Sequence, residues 1–414
     1  MRRQRPHNTR DRRKPRNEKA AGATFDVTIE RILPGGFGLA HAEGLTLFVS
    51  LAAPGDRVRV RVDHSQGRVA FASIREVLSP SALRVEAPCP YFGRCGGCDF
   101  QQLNYDAQLT AKVDIIRDCL HRIGKIEFSD EIPITGSPKI WGYRSRAQWQ
   151  HDSQRKQLGY FERASRRVCD VAECPVLAPD LQSTLANLRA DMKESLLPEE
   201  ATEIQAVAAD DGVSLWPPLP GQATRVVRRH VAVDDYFFSA ESFFQTNHEL
   251  LEPLIASATS EAAGDSAIDL YCGVGLFTLP LARRFDRVFG VEAHASAIGF
   301  ARHNAEAAGL DNVTFELART GDWLAKNNHS LASVDFVLLD PPRTGAEDGV
   351  IDGILALRPA KIAYVSCDPA TLARDLKGLI AGGYEIHALA AFDLFPQTHH
   401  VETVALCVAR GFEG

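Results

Sequence analysis

The chain has no run of about 18 apolar residues, the length a membrane-spanning helix needs. Nor does an apolar stretch follow its basic N-terminus, so a secretory signal is not expected. Cysteine is scarce. Nine in 414 residues cannot build a disulfide scaffold, and they point to a reducing, cytoplasmic compartment. No internal repeat is present. What remains is a soluble composition, 45% hydrophobic and 24% charged, sufficient to bury a core without staples. At roughly 100–200 residues per domain, the length predicts about two to four domains.

Charge is uneven. The whole chain sums to 46 − 53 = −7, yet residues 1–19 hold nine Lys/Arg and two Asp/Glu, a net of +7. The body therefore carries −14. The tail lacks aliphatic and aromatic residues, so disorder is predicted over 1–22. A basic tail on an acidic body suits capture of a polyanion such as RNA, or simply solubility.

Residues 23–80 predict a small β-barrel. TFDVTIERI, LTLFVSL, RVRVRVD and RVAFASIREVL alternate or are rich in β-formers. Turn signals at Pro34-Gly35-Gly36, Pro54-Gly55-Asp56 and Ser65-Gln66-Gly67 separate them. The segments Leu33–Gly38 and Ala52–Asp56 resemble a TRAM domain. That resemblance implies an OB-like, RNA-binding barrel.

Residues 81–235 open with a cysteine cluster. Cys89, Cys95 and Cys98 sit in CPYFGRCGGC, with glycines that let backbone fold around a metal centre. Cys169 and Cys174 are candidates for a fourth ligand. Four thiolates suit structural zinc or an iron–sulfur cluster, and spacing does not choose between them. YRSRAQWQHD and KQLGYFERA are strand-like, and 178–200 reads as helical.

From 236 to 414 strands and helices alternate. Ser266–Cys272, Arg287–Val291, Val334–Leu339 and Lys361–Ser366 read as strands, with helices at Ala295–Ala308 and Pro369–Ala381. This alternation predicts an open, largely parallel sheet covered on both faces. Ligands bind such sheets beyond the strands' carboxyl ends. There, Ala267–Gly275 runs into a glycine turn, and Glu292 follows Gly273 by 19 residues, where an acidic group can hold ribose hydroxyls. Position 278 is Thr278 rather than a third glycine, which favours S-adenosylmethionine (SAM) over a dinucleotide. Asp340-Pro341-Pro342-Arg343 ends another strand, because proline cannot continue the ladder. Cys367 lies between a strand and a helix N-terminus, whose dipole is expected to favour the reactive thiolate. Glu402, opening the last strand, could act as a general base. His399 and His400 read as orienting or solvated groups. Cys407 reads as core, and Cys119 and Cys272 receive no role.

In order, DLYCGVG, LLDPPR, YVSCDP and HHVET resemble the motifs of the RNA uracil-5-methyltransferase family. Phe243–Asn247 is similar to that family's F-F-Q-x-N segment. With the barrel and four cysteines, the resemblance is greatest to a 23S rRNA branch carrying a 4Fe–4S cluster. It implies a Rossmann-like α/β methyltransferase sheet with an N-terminal OB-like barrel and a central iron–sulfur lobe. It implies Cys174, in its E-C-P-V-L context, as fourth ligand beside Cys89, Cys95 and Cys98. It implies SAM contacts at Gln245, Tyr271, Glu292 and Asp340, a nucleophile at Cys367 and a proton acceptor at Glu402. Leu276 departs from the family's asparagine and loses a side-chain hydrogen bond to the cofactor. The expected chemistry is addition of Cys367 to uracil C6, methylation at C5 and removal of the C5 proton by Glu402. The target uridine must be flipped out or unpaired. RNA, ribosomal above all, is the expected partner of a monomer, with no membrane. A transfer RNA substrate, an exocyclic-amine N-methyltransferase and a non-catalytic iron–sulfur RNA-binding protein are the alternatives.

Overall fold

The computed structural model describes residues 21–219, 225–327 and 334–411. The basic tail therefore lies outside the described residues up to position 20. Two compact units are present. Of the described residues, the first holds those up to Ile32 with Phe37–Arg84, and the second holds Leu33–Gly36 with those from Val85.

The first unit is built from β1 (Thr24–Thr28), β2 (Arg31–Leu33), β3 (Phe37–Ala42), β4 (Leu45–Ser50), β5 (Arg57–Gln66) and β6 (Val69–Ser79). Their order is β1-β5-β6-β4-β3-β2. Alternation sends Leu47, Val49, Val58, Val60, Val62, Ala70 and Ala72 into one core. The run TFDVTIERI, which reads as one strand, bends at Ile29-Glu30. Ile29 N–H donates to Asp56 O (2.9 Å) and Glu30 N–H to Leu39 O (2.8 Å), so its two halves serve opposite sheet edges. The sheet thereby curls into a barrel.

The second unit begins with α1 (Tyr105–Cys119), β7 (Ile134–Thr135), β8 (Arg146–Asp152), β9 (Gln157–Phe161), β10 (Val168–Asp170), α2 (Pro179–Lys193), β11 (Glu203–Ala209) and β12 (Gly212–Trp216). Strands β10-β9-β8-β11-β12 form an antiparallel sheet. A hairpin, β13 (Val227–Val231) with β14 (Asp234–Phe238), follows. The change of pattern near 236 is not a break in packing. Arg146 donates to Ala240 O (2.8 Å) and Ser242 O (2.7 Å), across the boundary expected at 235/236.

The rest is α3 (Leu251–Ala258), β15 (Ser266–Leu270), α4 (Thr278–Ala282), β16 (Arg287–Glu292), α5 (Ala295–Ala307), β17 (Val313–Leu317), α6 (Thr320–Asn327), β18 (Phe336–Leu339), α7 (Val350–Leu357), β19 (Lys361–Ser366), α8 (Pro369–Ala381), β20 (Tyr384–Phe392) and β21 (Glu402–Ala409). The sheet order is β17-β16-β15-β18-β19-β21-β20-β7. β15 to β19 pair in parallel, and β21 runs antiparallel between β19 and β20. Buried on both faces, β18 reads as a continuous apolar run, and β15 is buried throughout although it carries Ser266 and Asp269. The order reverses at β15 and β18, the position where a ligand crevice opens in such sheets. Because β21 is reversed, its first residue, Glu402, stands at the edge where β18 and β19 end. Among the described residues no helix is long and apolar enough to cross a membrane.

Helix α1 is not foreseen in the sequence because its buried face carries Gln108 and Lys112 beside Ala111, Ile115 and Ile116. Asn104 caps it by accepting from Ala107 N–H (2.9 Å). Lys112 and Asp393 are both fully buried and paired, and Lys112 also donates to Phe395 O (3.0 Å). Removing one partner leaves an uncompensated buried charge. Lys112→Ala should therefore cost about 3–5 kcal/mol in denaturant unfolding, and Asp393→Leu added to it should recover part of that. An unchanged midpoint in the single variant would contradict the pairing.

Candidate active site

The cofactor side of the crevice is the turn after β15. Tyr271 and Gly273 both have left-handed backbone, with φ 62° and 56°. A Cβ added at Gly273 would meet nothing within 4 Å, so space is open above that turn. Glu292, ending β16, is fixed from two sides. Gly273 N–H donates to one carboxylate oxygen (3.1 Å) and His294 N–H to the other (2.8 Å). The Tyr271 hydroxyl accepts from Glu347 N–H (3.3 Å). Asp269, inside β15, escaped the sequence reading. It is fully buried, bonded to the Thr278 hydroxyl, and has one oxygen without a partner. Burial pushes its carboxyl up to about 8.

The acceptor side is assembled from four distant segments. Gln245 Nε2 approaches an Asp340 oxygen at 3.5 Å. Burial pushes Asp340 up to about 7. Glu402 is 1% exposed, and its Oε1 is buried without a hydrogen-bond partner. Its carboxyl is raised well above the usual range, by burial first and then by Asp340, with Arg343 opposing. Cys367 is half-buried after β19. Its thiol is pushed up to about 12 by burial, then by Glu402 and Asp340, while Arg343 opposes. The structure therefore places Cys367 in the field of Glu402, Asp340 and Arg343, and Glu402 in the field of Asp340 and Arg343.

This corrects one expectation. The helix N-terminus does not leave Cys367 as a thiolate. The Asp368 side chain caps α8, accepting from Ala370 N–H and Thr371 N–H at 2.9 Å each. A carboxylate thus occupies the donors that would have favoured the thiolate, and two more acidic groups face the sulfur.

Loops carrying these residues are held by side chains the sequence did not mark. Asp99 accepts from His399 N–H (2.8 Å) and bonds the His399 ring. His399 and His400 rings lie 4.2 Å apart, and burial, His399 and Arg343 push His400 down to about 3. Both histidines are thus packed groups rather than solvated ones. Gln397 N–H donates to Gln108 (2.9 Å), and Tyr143 Oη donates to Pro396 O (2.9 Å). Asp375 accepts from the Tyr364 hydroxyl (2.7 Å) and Ala346 N–H (3.0 Å), anchoring the loop after Asp340. Ser145 holds the Gln245 loop by donating to Thr246 O from both N–H (2.8 Å) and Oγ (2.9 Å).

The cysteine-rich segment is a separate feature. Cys89, Cys95, Cys98 and Cys174 are all partly exposed free thiols. Burial pushes Cys95 up to about 11, with Cys169 and then Cys174 adding to it, and Cys98 up to about 12, with Cys174 adding. Cys174 is itself raised by burial, and Cys89 contributes. Cys95 Sγ accepts from Gly97 N–H (3.4 Å). Cys169 is turned into the core of the antiparallel sheet, where its sulfur accepts from Arg94 Nε (3.2 Å). Among the described residues, no three His, Cys, Asp or Glu side chains converge tightly enough for a single metal ion.

The charge of Glu402 helps hold the Cys367 thiol up, so Glu402→Gln should move the pH midpoint of Cys367 alkylation downward. An unmoved midpoint in iodoacetamide labelling followed by mass spectrometry would show that the two groups do not share a field.

Comparison with known proteins agrees with this geometry. Residues 223–410 match the tRNA (Uracil-5-)-methyltransferase family, and residues 18–74 match the TRAM domain. An uncharacterized RNA methyltransferase of Aquifex aeolicus is 34% identical, with 92% of this chain and 97% of that protein covered. The 23S rRNA (uracil(1939)-C(5))-methyltransferase RlmD of Pectobacterium atrosepticum is 32% identical over 96% of each chain. The crystal structure of Pyrococcus abyssi tRNA (uracil-54, C5)-methyltransferase with S-adenosyl-L-homocysteine superposes with a TM-score of 0.71 at 27% identity, covering 92% of this chain and 100% of that one. These matches displace the N-methyltransferase and non-catalytic readings, and the chain belongs to the RNA (uracil-5-)-methyltransferase family.

Proposed function

We propose that this enzyme methylates uracil C5 in 23S rRNA through a covalent Cys367–C6 adduct. The observation that carries the mechanism is the convergence of Cys367, Asp340 and Glu402 at one sheet edge. Ribosomal RNA is favoured as substrate by the RlmD relative, whose likeness spans barrel and cysteine segment alike.

Uracil C5 is a weak nucleophile. Addition of Cys367 sulfur to C6 moves electron density to C5 as an enolate. The thiol proton must leave first, to Asp340 or to solvent, so that Glu402 is still unprotonated when the C5 proton is released. S-adenosylmethionine, when bound, supplies the electrophilic methyl group and leaves as S-adenosylhomocysteine. Glu402 then takes the C5 proton, C5=C6 re-forms, and Cys367 departs with the electrons of the C6–S bond. The residues that would hold SAM are Gln245, Tyr271, Glu292 and Asp340. The open space over Gly273 and the fixed Glu292 carboxylate fit that role. Removal of the nucleophile should lower methyl transfer by about 10⁴-fold or more. Cys367→Ala should also abolish trapping on 5-fluorouracil RNA while SAM binding persists. Glu402→Gln should instead accumulate the RNA adduct. Turnover by Cys367→Ala, or clean release by Glu402→Gln, would overturn the assignment.

The same reading gives Cys89, Cys95, Cys98 and Cys174 a 4Fe–4S cluster. Support comes from sulfurs that share one environment, the Gly97 N–H aimed at Cys95, and the positive field of Arg144 at Cys98 and Cys174. Such donors stabilise anionic sulfur. The cluster would be structural, since no step above needs electron transfer. Protein purified without oxygen should be brown and contain iron and sulfide, and Cys174→Ser should lose both. A colourless, zinc-loaded product would refute the cluster.

A further inference from the structure

Two side chains of the sheet β10-β9-β8 carry buried donors that the chain does not satisfy. Trp149 of β8 belongs to the core that also holds Cys169, and Tyr160 of β9 packs against that core together with Cys95 and Cys174. Gln150 pairs in register with Gly159, so Trp149, one residue before, stands beside Tyr160, one residue after. Trp149 is fully buried. Its Nε1 and the Tyr160 Oη are both buried without a hydrogen-bond partner among the described residues. A core that needed only ring volume would be served by phenylalanine, since a buried indole N–H or phenol O–H left unpaired costs stability. The cysteine segment lies against the same strands. Gly96 N–H donates to Phe161 O (2.9 Å), and Cys95 forms a bridge with Glu162, so this segment runs along the end of β9. Arg163 donates to Cys98 O (2.9 Å) and also keeps a buried Nε without a partner. Arg144 N–H donates to Val176 O (2.8 Å), which sets Arg144 beside the turn of Cys174. Burial raises the Cys174 thiol, and Val176 N–H, Arg144 and the Tyr160 hydroxyl oppose that rise.

The acceptor that these donors lack is anionic sulfur, which an iron–sulfur cluster supplies. We propose that Tyr160, Trp149 and Arg144 form an outer donor shell for the cluster held by Cys89, Cys95, Cys98 and Cys174, centred on Cys174, and that this shell sets the cluster's reduction potential. The proposal deepens the cluster reading and rests on it. Hydrogen bonds and a nearby cation stabilise the reduced cluster, which carries one more negative charge, over the oxidised one. They therefore raise the potential. Methyl transfer need not draw on that electron for the shell to act.

The test is a potentiometric titration of the full chain purified without oxygen. Dithionite supplies the electron stepwise in the presence of mediator dyes, and the electron paramagnetic resonance of the reduced cluster is followed. Tyr160→Phe removes one oxygen and keeps the ring. It should retain wild-type iron and sulfide and titrate at a more negative potential. Trp149→Phe should shift the midpoint in the same direction. Packing by the rings alone would leave the midpoint where it is. Iron lost from a variant during purification is restored with ferrous iron and sulfide before the titration. If Tyr160→Phe takes up no cluster, Trp149→Phe, which keeps the hydroxyl, decides. An unmoved midpoint with the cluster intact would overturn the shell and leave the cluster standing. Failure of both variants to rebuild a cluster that the wild type holds would also overturn the potential-setting role, because the two side chains would then be needed for assembly. A wild type without iron and sulfide would overturn the cluster reading and the shell with it.

Discussion

Three acidic groups buried within one another's field cannot all be ionised near neutrality. Asp340, Glu402 and Cys367 are such a set, and most of the site's construction follows from that constraint. Burial lifts all three, Asp340 lifts Glu402 further, and Glu402 and Asp340 together lift Cys367. Arg343 is the opposing cation for both Cys367 and Glu402. The resting site therefore does not carry all three charges at once, and Cys367, pushed up to about 12, is the group that keeps its proton. The unpartnered oxygen of Glu402 is the mark of that arrangement, since a buried acceptor without a donor is costly in a finished structure.

Holding like charges together requires rigid supports, and here they come from the segment between the cysteines and β8. Asp99, Gln108, Lys112 and Tyr143 grip the loop 393–400 that leads into Glu402. Ser145 and Arg146 grip the loop that carries Gln245. Asp99 directly follows Cys98 in the chain. The cysteine segment is thus continuous with the clamp on the loop that leads into Glu402. The third loop, after Asp340, is held from α8 by Asp375 and closed over Tyr271 through Glu347.

Much of the fold is legible in the chain because its signals are local. Apolar runs mark β15, β18 and β19, proline stops β18 after Asp340, and Asp368 with Pro369 starts α8. Other elements are hidden for equally physical reasons. Helix α1 buries a lysine and a glutamine whose partners lie far away in sequence, so its apolar stripe is broken. The strand read through Ile29-Glu30 bends because its two halves have different partners. β21 looks like any apolar strand, and its antiparallel direction is set by the sheet rather than by its residues.

The sequence by itself determined which residues could do chemistry and roughly where each strand would end, because residue type and backbone preference are properties of short segments. It also determined the barrel's alternation, since period two is written in the chain. Tertiary structure alone decided which ends meet and what protonation state results. It brings Cys174 into the environment of Cys89, Cys95 and Cys98 and turns Cys169 into a core. It also reverses the expected ionisation of Cys367. A thiol's proton affinity depends on burial and on charges from other segments, and no local pattern carries that information.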